Sequence, residues 1–315
     1  MTHPDHTILC AAPMQGFTEA VWRHAHDSVY ADGLRYFSPF LRIDKGVVRS
    51  RDLRDITSPL NSPFRLTPQI IFRDTFEFST LVRAVTEAGF SAIDLNLGCP
   101  FPPQCHRGRG AAMIARTDVM SQVAELMRDM PHITFSVKMR LGLRDSDEWH
   151  PLIDILNRIP NLSHITVHPR TASQQYSGQL HLTGFAAILD SSAHPVIFNG
   201  DITTPQQISD LIQDYPAIAG IMIGRGLLMR PSLICEWRDH TEWDHTRRMQ
   251  HIIRTHRIIL DHNSRTLCGD SQIIAKTRPF WDYLEQEIGR KQWKAIRKAT
   301  TLPPPSPPLL LPLSL

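Results

Sequence analysis

Eight short apolar runs, with helical stretches interspersed, constrain this chain more than any other feature. They are TILCAAP (7–13), LRYFSPF (34–40), PQIIF (68–72), AIDLNL (92–97), ITFSVKM (133–139), HITVH (164–168), PVIFNG (195–200) and GIMIG (220–224). Each is apolar nearly throughout rather than alternating, the pattern of parallel strands covered on both faces. Amphipathic helices fit the gaps: TEAVWRHAHDSV from Thr18, TFEFSTLVRAVTEAG closing at Gly89, TDVMSQVAELMRDM with Thr117 as N-cap, and TPQQISDLIQDY with a Thr cap at 203 or 204 and Pro205 in the first turn. Strands and helices alternating in this way predict an α/β fold, a closed (β/α)8 TIM barrel. A doubly wound open sheet is the runner-up, but no GxGxxG follows the first strand.

From about residue 245 the pattern is helical only. TRRMQHIIRTHRIILDHN, SQIIAKTRPFWDYLEQEI and RKQWKAIRKAT read as three amphipathic helices, a small C-terminal all-helical domain. The expected organisation is a barrel over 1–240, a helical domain over 241–300 and a disordered or polyproline-like tail over 301–315, TLPPPSPPLLLPLSL. Charge is unevenly spread. Residues 245–300 hold 12 Lys or Arg against 5 Asp or Glu, while the whole chain carries only +3. A basic segment on a near-neutral body suggests an anionic polymer as partner, although a solvated helix surface explains the count equally well.

Composition narrows the class further. With 42% hydrophobic and 21% charged residues the chain reads as an ordinary globular protein. No apolar run approaches the roughly 20 residues that span a bilayer. The N-terminus MTHPDHTILCAAP lacks the pattern of a secretory signal, so a cytoplasmic protein without membrane contact is expected. Five cysteines without a CxxC pair, and no HExxH, argue against a disulfide framework or a structural metal.

In such a barrel the chemistry sits where strands end. Those ends carry Pro13-Met14-Gln15-Gly16, Gln69, Asn96 with Cys99, Lys138 with Arg140, His168 with Arg170 and Thr171, Asn199-Gly200-Asp201, and Gly224-Arg225-Gly226. Buried amides and cations must be satisfied or lie in a cleft. Glycines beside Asn199 and Arg225 let backbone N–H groups approach an anion, and GRGLL leads into a helix N-terminus, which suits a phosphate. Turn glycines and a surface arginine would explain either loop alone, but less readily both in succession. Lys138 inside FSVKMRLG suits delocalised negative charge, and Gln69 can donate and accept at once, which suits an imide edge. A lone His168 could be a core histidine; followed by Arg170 it reads as a site residue. The residues alone lead to a phosphorylated, partly anionic ligand such as FMN, and leave Cys99 open between core filler and reactive group.

AAPMQGFT, LNLGCP followed by GRGAAMI, SVKMRLG, ITVHPRTASQQYSG, VIFNGDI and IMIGRGLL, in this order over residues 8 to 232, resemble the tRNA-dihydrouridine synthases. SPFLRI and AKTRPFWDYL look closest to the bacterial C branch of that family, and the basic helical segment is similar to its tRNA-binding domain. The resemblance implies an oxidoreductase that uses FMN, recharged by NADPH, to reduce the C5–C6 double bond of particular uridines in the tRNA D-loop. It implies FMN contacts at Pro13, Met14, Gln15, Gln69, Lys138, His168, Asn199, Gly200, Asp201, Gly224 and Arg225. Hydride passes to C6, and Cys99 protonates C5 as general acid. Asn96 and Arg170 would contact the uracil, Arg140 would serve the substrate side, and Lys276, Arg278, Arg290, Lys291, Lys294, Arg297 and Lys298 would hold tRNA.

Many relatives carry a lysine four residues after the cysteine, where this chain has Pro103. That leaves the loop's contact with RNA in question. Cys105 in the same loop does not match the motif and reads as incidental. A monomer is expected. Two other readings are an FMN barrel acting on a small pyrimidine, such as a dihydroorotate dehydrogenase, and a catalytically silent RNA-binding relative. The basic appendix argues against the first, and retention of Cys99 with the flavin contacts against the second.

Overall fold

The strands form one closed ring. The computed structural model describes residues 7–62 and 65–301. Its main sheet runs, in spatial order, Leu66–Thr67, Arg35–Phe37, Ile8–Ala11, Gly220–Ile223, Val196–Asn199, Leu162–Thr171, Thr134–Gly142, Ala92–Leu97 and Gln69–Ile70, and neighbouring strands are parallel. The first and last segments of that order are one stretch of chain, interrupted by Pro68, which has no N–H to give a ladder. Nine segments therefore make eight barrel strands, and the open-sheet alternative falls.

Outward-facing strand residues such as Ile93, Leu95, Val137, Ile165 and Val167 are fully buried beneath the helix layer. Helix Thr75–Glu87 covers them with Phe78, Leu81, Val82 and Val85, and the Asp74 carboxylate caps its start by accepting from the Glu77 N–H. Helix Thr117–Arg128 buries Val119, Met120, Val123 and Met127; Thr117 is its first residue rather than its cap, a position that falls to Arg116. Helix Pro205–Asp214 opens on a full capping box between Thr204 and Gln207.

The C-terminal segment begins with one long helix, His245–Thr266. The second expected helix is broken into Asp270–Thr277, a 3-10 turn at Arg278–Trp281 and Glu285–Ile288, because Pro279 cannot continue the ladder. Gly289, in the left-handed region at φ 77°, turns the chain into Arg290–Lys298. Met249, Ile252, Trp281, Leu284 and Ile288 pack together, while Ile259 joins the barrel's core and Trp243 lies against Tyr30 of the first helix, Ala20–Tyr30. The segment is thus seated on the barrel flank, and Tyr283 reaches the barrel mouth against Phe17. Among the described residues no helix is long and apolar enough to cross a membrane. Residues 302–315, most of the proline-rich tail, lie outside the described residues.

Candidate active site

The polar residues of the barrel mouth follow from strand alternation. Asp94 and Asn96 share one face of the fourth strand, opposite Ile93, Leu95 and Leu97. Strand register then sets Asp94 beside Gln69 and Ser136, Asn96 beside Lys138, and Arg140 beside His168. Deepest lies a closed amide–carboxyl cluster. Asp94 accepts from the Gln69 amide (2.7 Å) and the Ser136 hydroxyl (2.6 Å), and Gln69 in turn accepts from the Asn96 amide (2.7 Å). Complete burial pushes the Asp94 carboxyl up to about 6.

Above this cluster opens a cavity of about 620 Å³. Lys138 lines it and donates to Asn199 Oδ1 (2.7 Å), whose own amide donates to the Met222 carbonyl (2.8 Å). Burial, aided by Arg140, brings the Lys138 ammonium down to about 8. His168 is held well below its ordinary range by burial, with Arg140 and Lys138 adding to the effect. Arg170 can only donate, so its 3.3 Å contact makes His168 Nε2 an acceptor and leaves the ring neutral with its proton on Nδ1.

The other wall is the loop after the fourth strand. Asn96 Oδ1 accepts from the N–H groups of Gly98 (3.1 Å) and Cys99 (2.8 Å), which turns the chain sharply at the strand end. The Cys99 carbonyl accepts from Ala111 N–H (3.1 Å) and from the Cys105 thiol (3.3 Å), so Cys105 braces the loop. Gly110, at φ 62°, is required here: a Cβ would lie 2.7 Å from the Cys99 carbonyl oxygen. Beneath, the buried Arg109 pairs with Glu77 and donates to the Ile43 carbonyl. Burial raises the Cys99 thiol above its usual range, so it remains protonated at neutral pH.

Two glycine-bearing loops close the far side. A Cβ on Gly226 would fall 1.9 Å from the Ile202 carbonyl, so the loops after strands seven and eight touch backbone to backbone. Asp201 sits between Arg170 and Arg225, and although burial works against its charge, the two arginines hold its carboxyl below the usual range. Tyr176 stands over this edge with the guanidinium of Arg225 at 4.4 Å and that of Arg140 at 5.4 Å from its ring centre.

The cavity brings together Pro13, Met14, Gln15, Asn96, Cys99, Lys138, Arg140, His168, Asn199, Gly200, Asp201, Gly224 and Arg225. Gln69 is fully buried behind it, with both ends of its amide engaged, and reaches it only through Asn96. Arg170 is likewise buried and contacts His168 and Asp201. Lys276 pairs with Glu19, and Arg278 is half-buried, donating to the Ala299 carbonyl (2.6 Å). Tyr176 and Tyr283 at the mouth, and the Asp94–Ser136 contact, were not expected from the sequence. A charged residue inside the apolar run AIDLNL was the available signal for Asp94; Tyr176 lies in a loop, and the helical periodicity of the segment holding Tyr283 does not show that it reaches the barrel mouth.

Fold and site together define a (β/α)8 protein with a neutral thiol on one side of its mouth and a cationic, glycine-bearing wall on the other. The model of the family described as Dihydrouridine synthase (Dus) matches residues 10–303. The chain belongs to that family of oxidoreductases. Among curated relatives, tRNA-dihydrouridine synthase B of Pseudomonas putida is 25% identical over 293 residues, covering 91% of this chain and 85% of the relative. Its Escherichia coli K12 namesake is 28% identical over 228 residues, covering 72% and 70%. A probable tRNA-dihydrouridine synthase of Rickettsia typhi is 31% identical over 150 residues, covering 48% and 46%. A solved structure titled "X-structure of a variant of NCR from zymomonas mobilis" has a TM-score of 0.47 and 13% identity, over 75% of this chain and 87% of that one.

Proposed function

We propose that this protein is a cytoplasmic, monomeric tRNA-dihydrouridine synthase that reduces the C5–C6 bond of D-loop uridines with FMN and NADPH. The carrying observation is a half-buried, protonated thiol that lines one cavity with a cationic wall. The residues fit FMN. Lys138 spends one N–H on Asn199 and has others to offer, Gly200 and Gly224 leave the wall beside Arg225 free of side chains, and the volume lies within the few hundred to about 1,000 Å³ of small-molecule sites. Pro13, Met14, Gln15, Lys138, His168, Asn199, Gly200, Asp201, Gly224 and Arg225 would hold it, with Gln69 as support. When bound, FMN supplies two-electron transfer from NADPH to C6 of uracil.

The chain's own part is to hold a proton and a base. Cys99 keeps its proton because partial burial desolvates its thiol, and delivers it to C5. Asn96 fixes the Cys99 backbone, and Arg140 ties the same turn to the sixth strand by donating to the Gly98 (3.0 Å) and Thr171 (2.8 Å) carbonyls. The uracil must leave the RNA stack to enter, so the tRNA backbone needs an electropositive surface nearby. Arg290, Lys291, Lys294, Arg297 and Lys298 are exposed and supply it from the helical segment, 241–300, beside the barrel of 1–240. Lys276, paired with Glu19 near the mouth, adds to it.

The test is direct. Purified protein given FMN and NADPH should convert a D-loop uridine of tRNA from cells lacking it, seen as a gain of two hydrogens by mass spectrometry. A colourless protein that cannot take up FMN, or unchanged tRNA, defeats the reading.

A further inference from the structure

Two of the large apolar side chains most exposed among the described residues, Phe101 and Tyr176, line the cavity. Tyr176 is already faced by two guanidiniums. Phe101, two residues from the thiol, is 57% exposed. Its backbone is preset. Pro100 and Pro102 flank it, it adopts φ −63° and ψ 118°, and its carbonyl accepts from the N–H groups of Gln104 (2.8 Å) and Cys105 (3.1 Å). The ring is therefore held out at the mouth on a braced turn. Pro102 and Pro103 extend the exposed apolar surface, and Arg107 is exposed a few residues further on. An exposed apolar plate on a loop that also carries an exposed cation complements a nucleotide, whose base offers a π-face and whose phosphate is anionic. Drawing one uridine out of an RNA loop also leaves the bases beside it without a stacking partner.

We infer that Phe101 is the stacking plate for the nucleobase adjoining the reacting uridine, with Arg107 on the neighbouring phosphate. This rests on the proposed reaction and explains how a loop with Pro103 contacts RNA. Steady-state kinetics with tRNA test it on the full-length, flavin-loaded protein. Phe101→Ala and Phe101→Leu should raise KM for tRNA about tenfold, the scale of one lost base stack, while Phe101→Trp restores it. Arg107→Ala should instead flatten the salt dependence of KM, by roughly 0.7 to 0.9 in the log–log slope for one phosphate contact, whereas Phe101→Ala leaves the slope intact. Phe76, more exposed still but outside the cavity, is the control, and Phe76→Ala should not move KM. Flavin content and melting temperature verify the fold of each variant. A wild-type KM for Phe101→Ala overturns the inference, as does full rescue by Leu, which would show that bulk rather than a π-face matters. If the wild-type protein makes no dihydrouridine, the proposed function fails and carries this inference with it; if it does and Phe101→Ala is unimpaired, only the stacking plate fails.

Discussion

The two walls of the cavity are stiffened differently. Around Cys99 the chain answers its own polar groups: Asn96 takes the N–H groups of Gly98 and Cys99, while Ala111 and Cys105 supply the Cys99 carbonyl. Across from it, Asp201 balances Arg170 and Arg225, but the half-buried Lys138 meets a neutral amide. Burial favours the neutral form on both sides. On the thiol wall that keeps a proton in place; on the cationic wall it leaves a charge waiting for an anion. The first wall should hold its shape unaided, and the second should gain most from a ligand.

The largest break in this comparison is Cys99→Ala. Dihydrouridine formation should fall by about 10²- to 10⁴-fold, the range of a lost general acid, while bound FMN and tRNA affinity stay as in the parent. Full activity would remove the thiol from the reaction. Lys138→Met attacks the opposite wall. A charge-assisted hydrogen bond is worth about 2 kcal/mol, so FMN affinity measured by titration calorimetry should drop roughly 30-fold. The flavin-free variant should melt no lower than its parent, because a desolvated charge whose direct partner is a neutral amide has gone. A lower melting temperature would make Lys138 a structural partner of Asn199 and undo the contrast.

Titration sharpens the same point without mutation. Lys138 is depressed to about 8 in the folded protein, below its ordinary 10.5. Between these values the unfolded chain binds the proton that the folded one has lost, so this group makes the flavin-free protein more stable as pH rises through that window. FMN affinity should move the other way, weakening as the ammonium is lost above about pH 8. Melting and flavin titration from pH 7 to 10 read both slopes, and Lys138→Met should flatten them. Parallel slopes would mean that Lys138 does not face the ligand.

Much of this arrangement was legible in the sequence because parallel strands buried on both faces must be apolar runs. PQIIF marked only the later half of the third strand, Gln69–Ile70; the earlier half, Leu66–Thr67, lies before Pro68 and pairs on the other side of the ring's closure, which no local pattern encodes. The cavity's polar lining was visible as polar types at strand ends. Their pairing was not, because it depends on register between strands distant in sequence: Gln69 and Arg170, expected at the ligand, are engaged by Asp94 and Asp201 instead. The helical segment was readable by periodicity, whereas the break at Pro279 was a signal that the periodicity outweighed.

The smallest expected effect asks what stiffens the cationic wall. Thr203 lines the cavity, and the next residue caps helix Pro205–Asp214, with Gln207 Oε1 accepting from the N–H groups of Thr203 (2.8 Å) and Thr204 (3.0 Å). The capping box thus anchors the loop that carries Gly200 and Asp201. Thr204→Ala removes the hydroxyl that accepts from the Gln207 N–H (3.3 Å) and should cost about 1 kcal/mol of stability, read from urea unfolding. If the wall is shaped mainly by its ligand, FMN binding offsets that loss and affinity changes by less than about twofold, since a cap at a helix start leaves the charges of Lys138 and Arg225 in place. A larger fall in affinity would show that the cationic wall, like the thiol wall, is set by the chain before any ligand arrives.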